Sequence, residues 1–337
     1  MNLKNKTILI TGIGSFIGWR AAELARERGM KVRGLQHSKN NLKTLKQQLG
    51  AEVIVGSVNN PVAARKACQG ATIVLHTAGV TQENNSLEQL RAVDVGGTIN
   101  MAKVAMHSGV KAFVHLSSGM VYGFNYPDHV TEGGPLCRED NLYCQTKIEA
   151  EQKLLQLNKP RNFGIIIIRP GDVYGPGSIP WIVRPLLLMR KGLFLLANGG
   201  KGVMNHVYID NLIEAIFLSL EKEAYGEIFN ITDGQETSWK EYFTRLAEIA
   251  DLPAPLSMPA SLIRLPIKLR RFGQKLLGEN IDTLPTSVDL LTRPYAYSVE
   301  KAQSQLSYKP KISLEEGLKR TQEWLRKADI QNLIGDR

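Results

Sequence analysis

Residues 6–35 restrict the possible folds of this chain more than any other stretch. Residues 6–11 are β-branched and apolar, Gly12-Ile13-Gly14-Ser15-Phe16-Ile17-Gly18 forms a glycine turn, and a helical pattern through Ala21, Leu24 and Ala25 stops at Gly29. A second strand over residues 31–35 follows at once. Strand, glycine turn, helix and strand make a βαβ unit of the kind that holds dinucleotides. Backbone N–H groups and the positive end of the helix face a pyrophosphate there, and glycines let the chain approach it.

The same alternation continues. Strands are expected over 52–55, 72–76 and 112–117, with helices over 61–68 and 87–107 between them. A helix over 142–157 leads to 164–169, the most apolar strand and so an expected central one. Apolar strands alternating with helices predict a parallel sheet covered on both faces. After Gly177 the pattern loosens, returning to strand at 205–209 and 227–231 around a helix over 212–220. From Thr237 it is helical and loop-rich, punctuated by Pro253, Pro255, Pro259, Pro266 and Pro285. A chain of 337 residues, 43% hydrophobic, exceeds what one core usually organises. The expected architecture is α/β: a Rossmann-type doubly wound parallel sheet (1–177 with 205–232) and a smaller, mostly helical C-terminal substrate-binding cap (178–204 with 233–337).

Charge and cysteine usage narrow the function. Arg169, Arg184, Arg190 and Lys191 interrupt the richest apolar runs, so no stretch reaches the roughly 18 residues of a membrane span. Lys4 and Lys6 precede an apolar run, Ile8-Leu9-Ile10, too short for a signal peptide. Cys68, Cys137 and Cys144 form neither a CxxC pair nor an even set, which gives no support to disulfides or zinc and fits a cytoplasmic, reducing setting. The dispersed histidines supply no metal constellation. The net charge of +10 is scattered, without a recognition helix for nucleic acid, and an anionic cofactor or a membrane surface explains it as well. Residues 260–278 carry Arg264, Lys268, Arg270, Arg271 and Lys275 among apolar residues and no acid. Pro266 breaks that stretch, so a substrate lid, core packing and peripheral membrane contact all stay open.

Tyr143 and Lys147 stand four residues apart at the start of a helix, hence on one face. An ammonium beside a phenol stabilises the phenolate and is expected to lower a pKa of about 10 toward the working pH, making the phenol a usable acid or base.

Taken in order, the motifs resemble the extended short-chain dehydrogenase/reductase family, also called the NAD-dependent epimerase/dehydratase family. They are the Gly12–Gly18 turn, His76-Thr77-Ala78-Gly79, Gly97-Thr98, Leu116-Ser117-Ser118-Gly119-Met120-Val121-Tyr122-Gly123, Tyr143 with Lys147, Arg169-Pro170-Gly171-Asp172-Val173-Tyr174-Gly175-Pro176-Gly177, Val207-Tyr208-Ile209-Asp210-Asn211-Leu212 and Ser313-Leu314-Glu315-Glu316-Gly317-Leu318. The resemblance implies that Tyr143 is the acid/base, that Lys147 is its partner and holds the nicotinamide ribose, and that Ser118 hydrogen-bonds the reacting oxygen. It places cofactor contacts at Gly12, Gly14, Ser15, Phe16, Ile17 and Gly18, then at Ser57, Val58, Thr77, Ala78 and Gly79, and at Pro170, Gly171 and Val173, with Ser117 either packing or touching the cofactor. Substrate contacts fall at Thr81, Gly119 and Met120, while Asn205 and His206 either face the substrate or are ordinary core or loop polar groups. Three positions depart from the pattern: Ser15 and Asp94 replace a usual Gly and Asn, and Ser57 an Asp that often meets the adenine.

No acid stands in Gly34-Leu35-Gln36-His37-Ser38-Lys39, where one accepting from the ribose 2′-OH would favour NAD. His37, Ser38 and Lys39 suit a 2′-phosphate instead, which favours NADP over NAD, with a solvated Lys39 as the alternative. Gly119 and Met120 after Ser118 leave a dehydratase without its acidic pair. The loop Gly199-Gly200-Lys201-Gly202-Val203-Met204-Asn205-His206 resembles the 3β-hydroxysteroid dehydrogenase and dihydroflavonol reductase branches more than the nucleotide-sugar epimerases. Leu186, Leu187, Leu188, Phe194, Leu195 and Leu196 suit an apolar ligand or pack the cap itself. The expectation is an NAD(P)-dependent oxidoreductase acting on a hydroxy or keto carbon of a hydrophobic small molecule. A nucleotide-sugar 4-epimerase is the alternative, and a non-catalytic NAD(P)-binding sensor a third reading. The resemblance further implies a homodimer paired through the 87–107 helix and the Tyr143 helix.

Overall fold

A computed structural model describes residues 1–80, 86–137, 141–264 and 286–328 of the protein. Its strands begin with β1 (Thr7–Thr11), β2 (Lys31–Gln36), β3 (Glu52–Val55), β4 (Ile73–His76), β5 (Ala112–Leu116) and β6 (Gly164–Pro170). The short β7 (Asp172–Tyr174), β8 (Leu195–Ala197), β9 (Val203–Met204) and β10 (His206–Tyr208) precede β11 (Ile228–Ile231). Seven of them form one sheet in the order β11-β6-β5-β4-β1-β2-β3, every pair parallel. The order reverses between β1 and β4, so their carboxyl ends open the crevice where doubly wound sheets bind ligands.

Alternating side chains on the strands divide between two core clusters, as the two-residue period of a strand requires. Ile8, Ile10, Leu75, Val114, Ile166 and Ile168 pack on one face with α1 (Phe16–Glu27) and α8 (Ile209–Glu221). Leu9, Val74, Phe113, Ile165 and Ile167 face the other way, with α3 (Pro61–Cys68), α5 (Thr98–His107) and α6 (Leu142–Leu155). The 87–107 helix is continuous: α4 (Leu87–Leu90) runs through a π-wound stretch, Arg91–Gly97, into α5. The first cluster also takes in Trp239, Tyr242 and Phe243 of α9 (Trp239–Glu248) and Leu314 and Leu318 of the helix Leu314–Lys327. Helix Glu300–Leu306, within the stretch expected to be cap, packs on β11 and α8.

One expectation needs correcting. β6 is interior but second from the edge, and β4 is the central strand. An apolar run records cover on both faces, which β6 has, and not distance from the sheet edge. Residues 265–278 of the basic amphipathic stretch lie outside the described residues. Among the described residues no helix is long and apolar enough to cross a membrane.

Candidate active site

The glycine turn is built for close approach. Gly12 has φ +69°, a left-handed value that glycine adopts without strain, and a Cβ there would lie 3.2 Å from Ala78 Cα in the loop after β4. A Cβ on Gly18 would sit 2.3 Å from the Gly12 carbonyl oxygen, so α1 can begin against the end of β1 only with glycine at that position. Ser15, replacing a family glycine, is the N-cap of α1: its Oγ accepts from Gly18 N at 3.2 Å. The first amides of α1, those of Phe16 and Ile17, have no intrahelical acceptor and face outward as a ready anion site. Thr11 ties the neighbouring loop down, since Thr77 Oγ1 donates to its carbonyl (2.7 Å) and Ala78 N to its Oγ1 (3.2 Å). These residues fit a dinucleotide.

At the end of β2, Gln36 fills the place of the missing acid. Its Nε2 donates to the carbonyls of Ser38 and Asn40, both at 2.9 Å, and its Oε1 turns to Gly14, where a Cβ would be 2.5 Å away. His37 and Lys39 are exposed beyond it. Ser57 accepts from Asn59 N at 3.1 Å, and the Val58 carbonyl accepts from Asn100 at 2.6 Å, so both belong to an ordered turn below β3. Pro170 ends β6, with the Gly171 N–H donating to the Ile231 carbonyl at 3.0 Å. Val173 is packed in the core.

Ser118, Tyr143 and Lys147 come together where β5 ends beside α6. Asn141 caps α6, accepting from Tyr143 N at 2.7 Å, so the tyrosine lies in the first turn. Lys147 follows one turn later, almost wholly buried, with Nζ 5.4 Å from the Tyr143 ring centroid and donating to the Leu116 carbonyl at 3.2 Å. Ser118 is half-buried and caps a 3₁₀ turn, its Oγ accepting from Met120 N at 3.1 Å, and it shares a side-chain hydrogen bond with Tyr143. The expected lowering of the Tyr143 pKa is overturned. Burial pushes the phenol up and outweighs the opposing pull of Lys147, with Asp94 and Cys144 raising it further and the Ser118 hydrogen bond lowering it.

Other assignments also change. Ser117 turns away from the crevice into α6, donating to Glu151 Oε1 at 2.5 Å. Gly119 lies buried beneath Tyr297, whose Cε2 would be 2.3 Å from a Cβ, so it backs an aromatic wall and leaves only half-buried Met120 at the surface of that turn. Asn205 is interior, its Nδ2 donating to Tyr126 Oη and the Tyr295 carbonyl, both at 3.2 Å, while Oδ1 accepts from Tyr297 N. Both ring nitrogens of His206 are bonded, to Asp233 (2.9 Å) and Thr237 (2.8 Å), in a fully buried setting that leaves none for a ligand. Thr81 lies outside the described residues. Glu151 is the residue sequence reasoning missed, because its burial depends on how α6 lies on β6.

The model of the NAD dependent epimerase/dehydratase family matches residues 8–232. A UDP-glucose 4-epimerase of Vibrio cholerae is 29% identical, covering 94% of this chain and 94% of that protein. A 4-hydroxy-2-methyl-3-oxo-4-farnesyl-3,4-dihydroquinoline-1-oxide ketoreductase of Stigmatella aurantiaca is 25% identical over 92% of this chain and 93% of its own length. The crystal structure of a UDP-glucose 4-epimerase from Thermotoga maritima with UDP-glucose superposes with a TM-score of 0.76 at 23% identity, covering 95% of this chain and 99% of that one.

Proposed function

This chain belongs to the NAD dependent epimerase/dehydratase family, an NAD-dependent enzyme of the oxidoreductase and epimerase kind, and on that premise we propose that it reduces or oxidises a keto or hydroxy carbon of a hydrophobic small molecule. The convergence of Ser118, Tyr143 and Lys147 carries the reading. The turn from Gly12 to Gly18 and the α1 amides hold the pyrophosphate, and Lys147 the nicotinamide ribose. Bound, the nicotinamide supplies or accepts the hydride. In reduction Tyr143 gives its proton to the carbonyl oxygen, Ser118 donates a hydrogen bond as charge grows there, and Lys147 balances the phenolate left behind.

Two observations support an apolar substrate over a sugar diphosphate. Gly119, next to Ser118, packs against Tyr297 of the buried cluster of Tyr122, Tyr126 and Tyr297. Arg293, beside Tyr297, is buried and spends its Nη2 on Asp172 at 2.5 Å and its Nη1 on Tyr297 Oη at 3.1 Å, leaving only its buried Nε without a partner among the described residues. The similarity to epimerases keeps 4-epimerisation as the second reading, since the same three residues serve it. Exposed His37 and Lys39 with no acid between residues 34 and 39 support NADP.

The test is oxidation of NADPH and NADH against a panel of cyclic and long-chain ketones, with UDP-glucose and UDP-galactose as the epimerase arm. Turnover of a ketone with Tyr143→Phe slowed by roughly 10²-fold or more is expected. Full turnover by Tyr143→Phe, or interconversion of the UDP-sugars alone, would overturn the reading.

A further inference from the structure

Resting on the assignment of Tyr143 and Lys147 as an acid/base pair, we infer that Asp94 is the third charge of that site: a positioning residue whose carboxylate opposes the field of the Lys147 ammonium and so sets how firmly Tyr143 keeps its proton. Asp94 stands in the π-wound stretch Arg91–Gly97 and is 1% exposed. Its Oδ1 accepts from Val80 N at 2.8 Å and its Oδ2 from Thr146 Oγ1 at 3.5 Å. Thr146 lies on α6 between Tyr143 and Lys147, and its hydroxyl also reaches the Tyr143 carbonyl at 2.9 Å. Gly79 fixes the geometry: a Cβ there would be 3.2 Å from Asp94 Oδ1 and 3.4 Å from Lys147 Nζ. Carboxylate and ammonium therefore both lie beside the bare face of this glycine, near enough to feel one another's field without forming a direct ion pair.

A lone ammonium beside a buried phenol stabilises the phenolate, and a nearby carboxylate cancels much of that field. The other groups near the pair do not take over that role. Cys144, next to Tyr143 on α6, and the Ser118 hydroxyl act on the phenol in opposite senses. His76 and His115, on β4 and β5, are held neutral by burial and by Lys147, His76 down to about 3. Glu151, a turn past Lys147, is committed to Arg169. Burial raises the Asp94 pKa, while Lys147, the Val80 N–H and Thr146 favour its ionised form.

Protein labelled with 3-fluorotyrosine tests this without any substrate, because ¹⁹F NMR reads the phenol directly and Tyr143→Phe identifies its resonance. In Asp94→Asn, whose side chain is nearly isosteric and keeps an acceptor for Val80 N, the Tyr143 phenol is expected to titrate about one pH unit lower than in the parent, a tenfold change in its acidity. The ascending limb of the alcohol-oxidation pH profile, where Tyr143 acts as base, should move the same way. A phenol that titrates unchanged or higher in Asp94→Asn overturns the inference. Asp94→Ser is the second neutral variant, with the same expected direction. Carboxyl-carbon NMR of the parent protein needs no substitution: an Asp94 carboxyl still protonated at pH 7 overturns it too. Tyr143→Phe turnover reports on the acid/base assignment and the ¹⁹F shift on Asp94, so the two readings fail separately.

Discussion

Glu151 is paired at both oxygens. Oε1 accepts from Arg169 Nε at 3.0 Å and from the Ser117 hydroxyl, and Oε2 from Arg169 Nη2 at 2.6 Å. Arg169 spends its remaining arm on Tyr122 Oη (2.8 Å) and the Glu132 carbonyl (3.1 Å), and Tyr122 passes its own proton to Asn230 at 2.7 Å. The ion pair is 2–3% exposed, so each charge depends on the other. Losing one partner of such a pair costs about 3–5 kcal/mol, whereas replacing both by apolar groups is often neutral. Glu151→Gln is therefore expected to lower the unfolding free energy in urea by about 3 kcal/mol, and Glu151→Met with Arg169→Met to recover most of it. A loss below about 1 kcal/mol, the range of a surface pair, would show that the network does not brace the fold. From sequence, Arg169 was visible as a charge in the most apolar strand, which demands a buried partner. Which acid answered it was not, because that depends on how α6 lies on β6.

Strands β4 and β5 place two histidines in register, His76 opposite His115, stacked with centroids 5.8 Å apart. His76 is satisfied by Thr11 Oγ1 (2.9 Å) and Thr98 Oγ1 (3.0 Å), while the described residues offer neither nitrogen of His115 a partner. Both titrate below the ordinary value because burial disfavours the cation, with Lys147 adding to it. A depressed folded-state pKa means that the unfolded chain binds the extra proton. The associated stability is whole above about pH 6.5 and is lost on acidification, for His76 at about 1.4 kcal/mol per pH unit down toward 3. Urea midpoints measured at pH 7.5 and 5 should show that fall, and His115→Leu should reduce it while raising stability at pH 7.5 by about 1 kcal/mol through removal of two unpaired polar atoms. A pH dependence untouched by His115→Leu would sink the account. At this scale the long elements were legible: β3 and α3 and the full 87–107 helix stand where periodicity put them. The two- and three-residue strands β7, β8 and β9 were not, since so short a run carries no period and forms only where a partner lies alongside, as Asp172 of β7 does beside His206, whereas β10 falls inside the strand expected over 205–209.

The order of the seven strands explains why the loops at the β1–β4 reversal could be read from sequence and the packing around Gly119 could not. Gly12 and Ala78 meet because β1 and β4 are neighbours at the reversal, and local motifs announce both loops. Gly119, Asn205 and Tyr297 meet through chain segments far apart in sequence, so nothing local revealed that the first two would be covered by the third. Assembly is a property of the same scale. The α4–α5 helix and α6 lie side by side, clasped by the Arg91 guanidinium on the Glu149 carboxylate at 2.7 Å. Ala92 and Gly96 are exposed on the first of them, with half-buried Val93 and Ile99 nearby, a low-relief surface onto which a second copy could lay the same two helices. Pairing of that kind buries small residues and excludes long charged ones at its centre. Sedimentation equilibrium is expected to return twice the 37.4 kDa mass of one chain, and Ala92→Glu to return it once, with the unfolding midpoint of the monomer unchanged because the side chain faces solvent in a single copy. A monomeric parent protein, or a dimer indifferent to Ala92→Glu, would place the contact elsewhere.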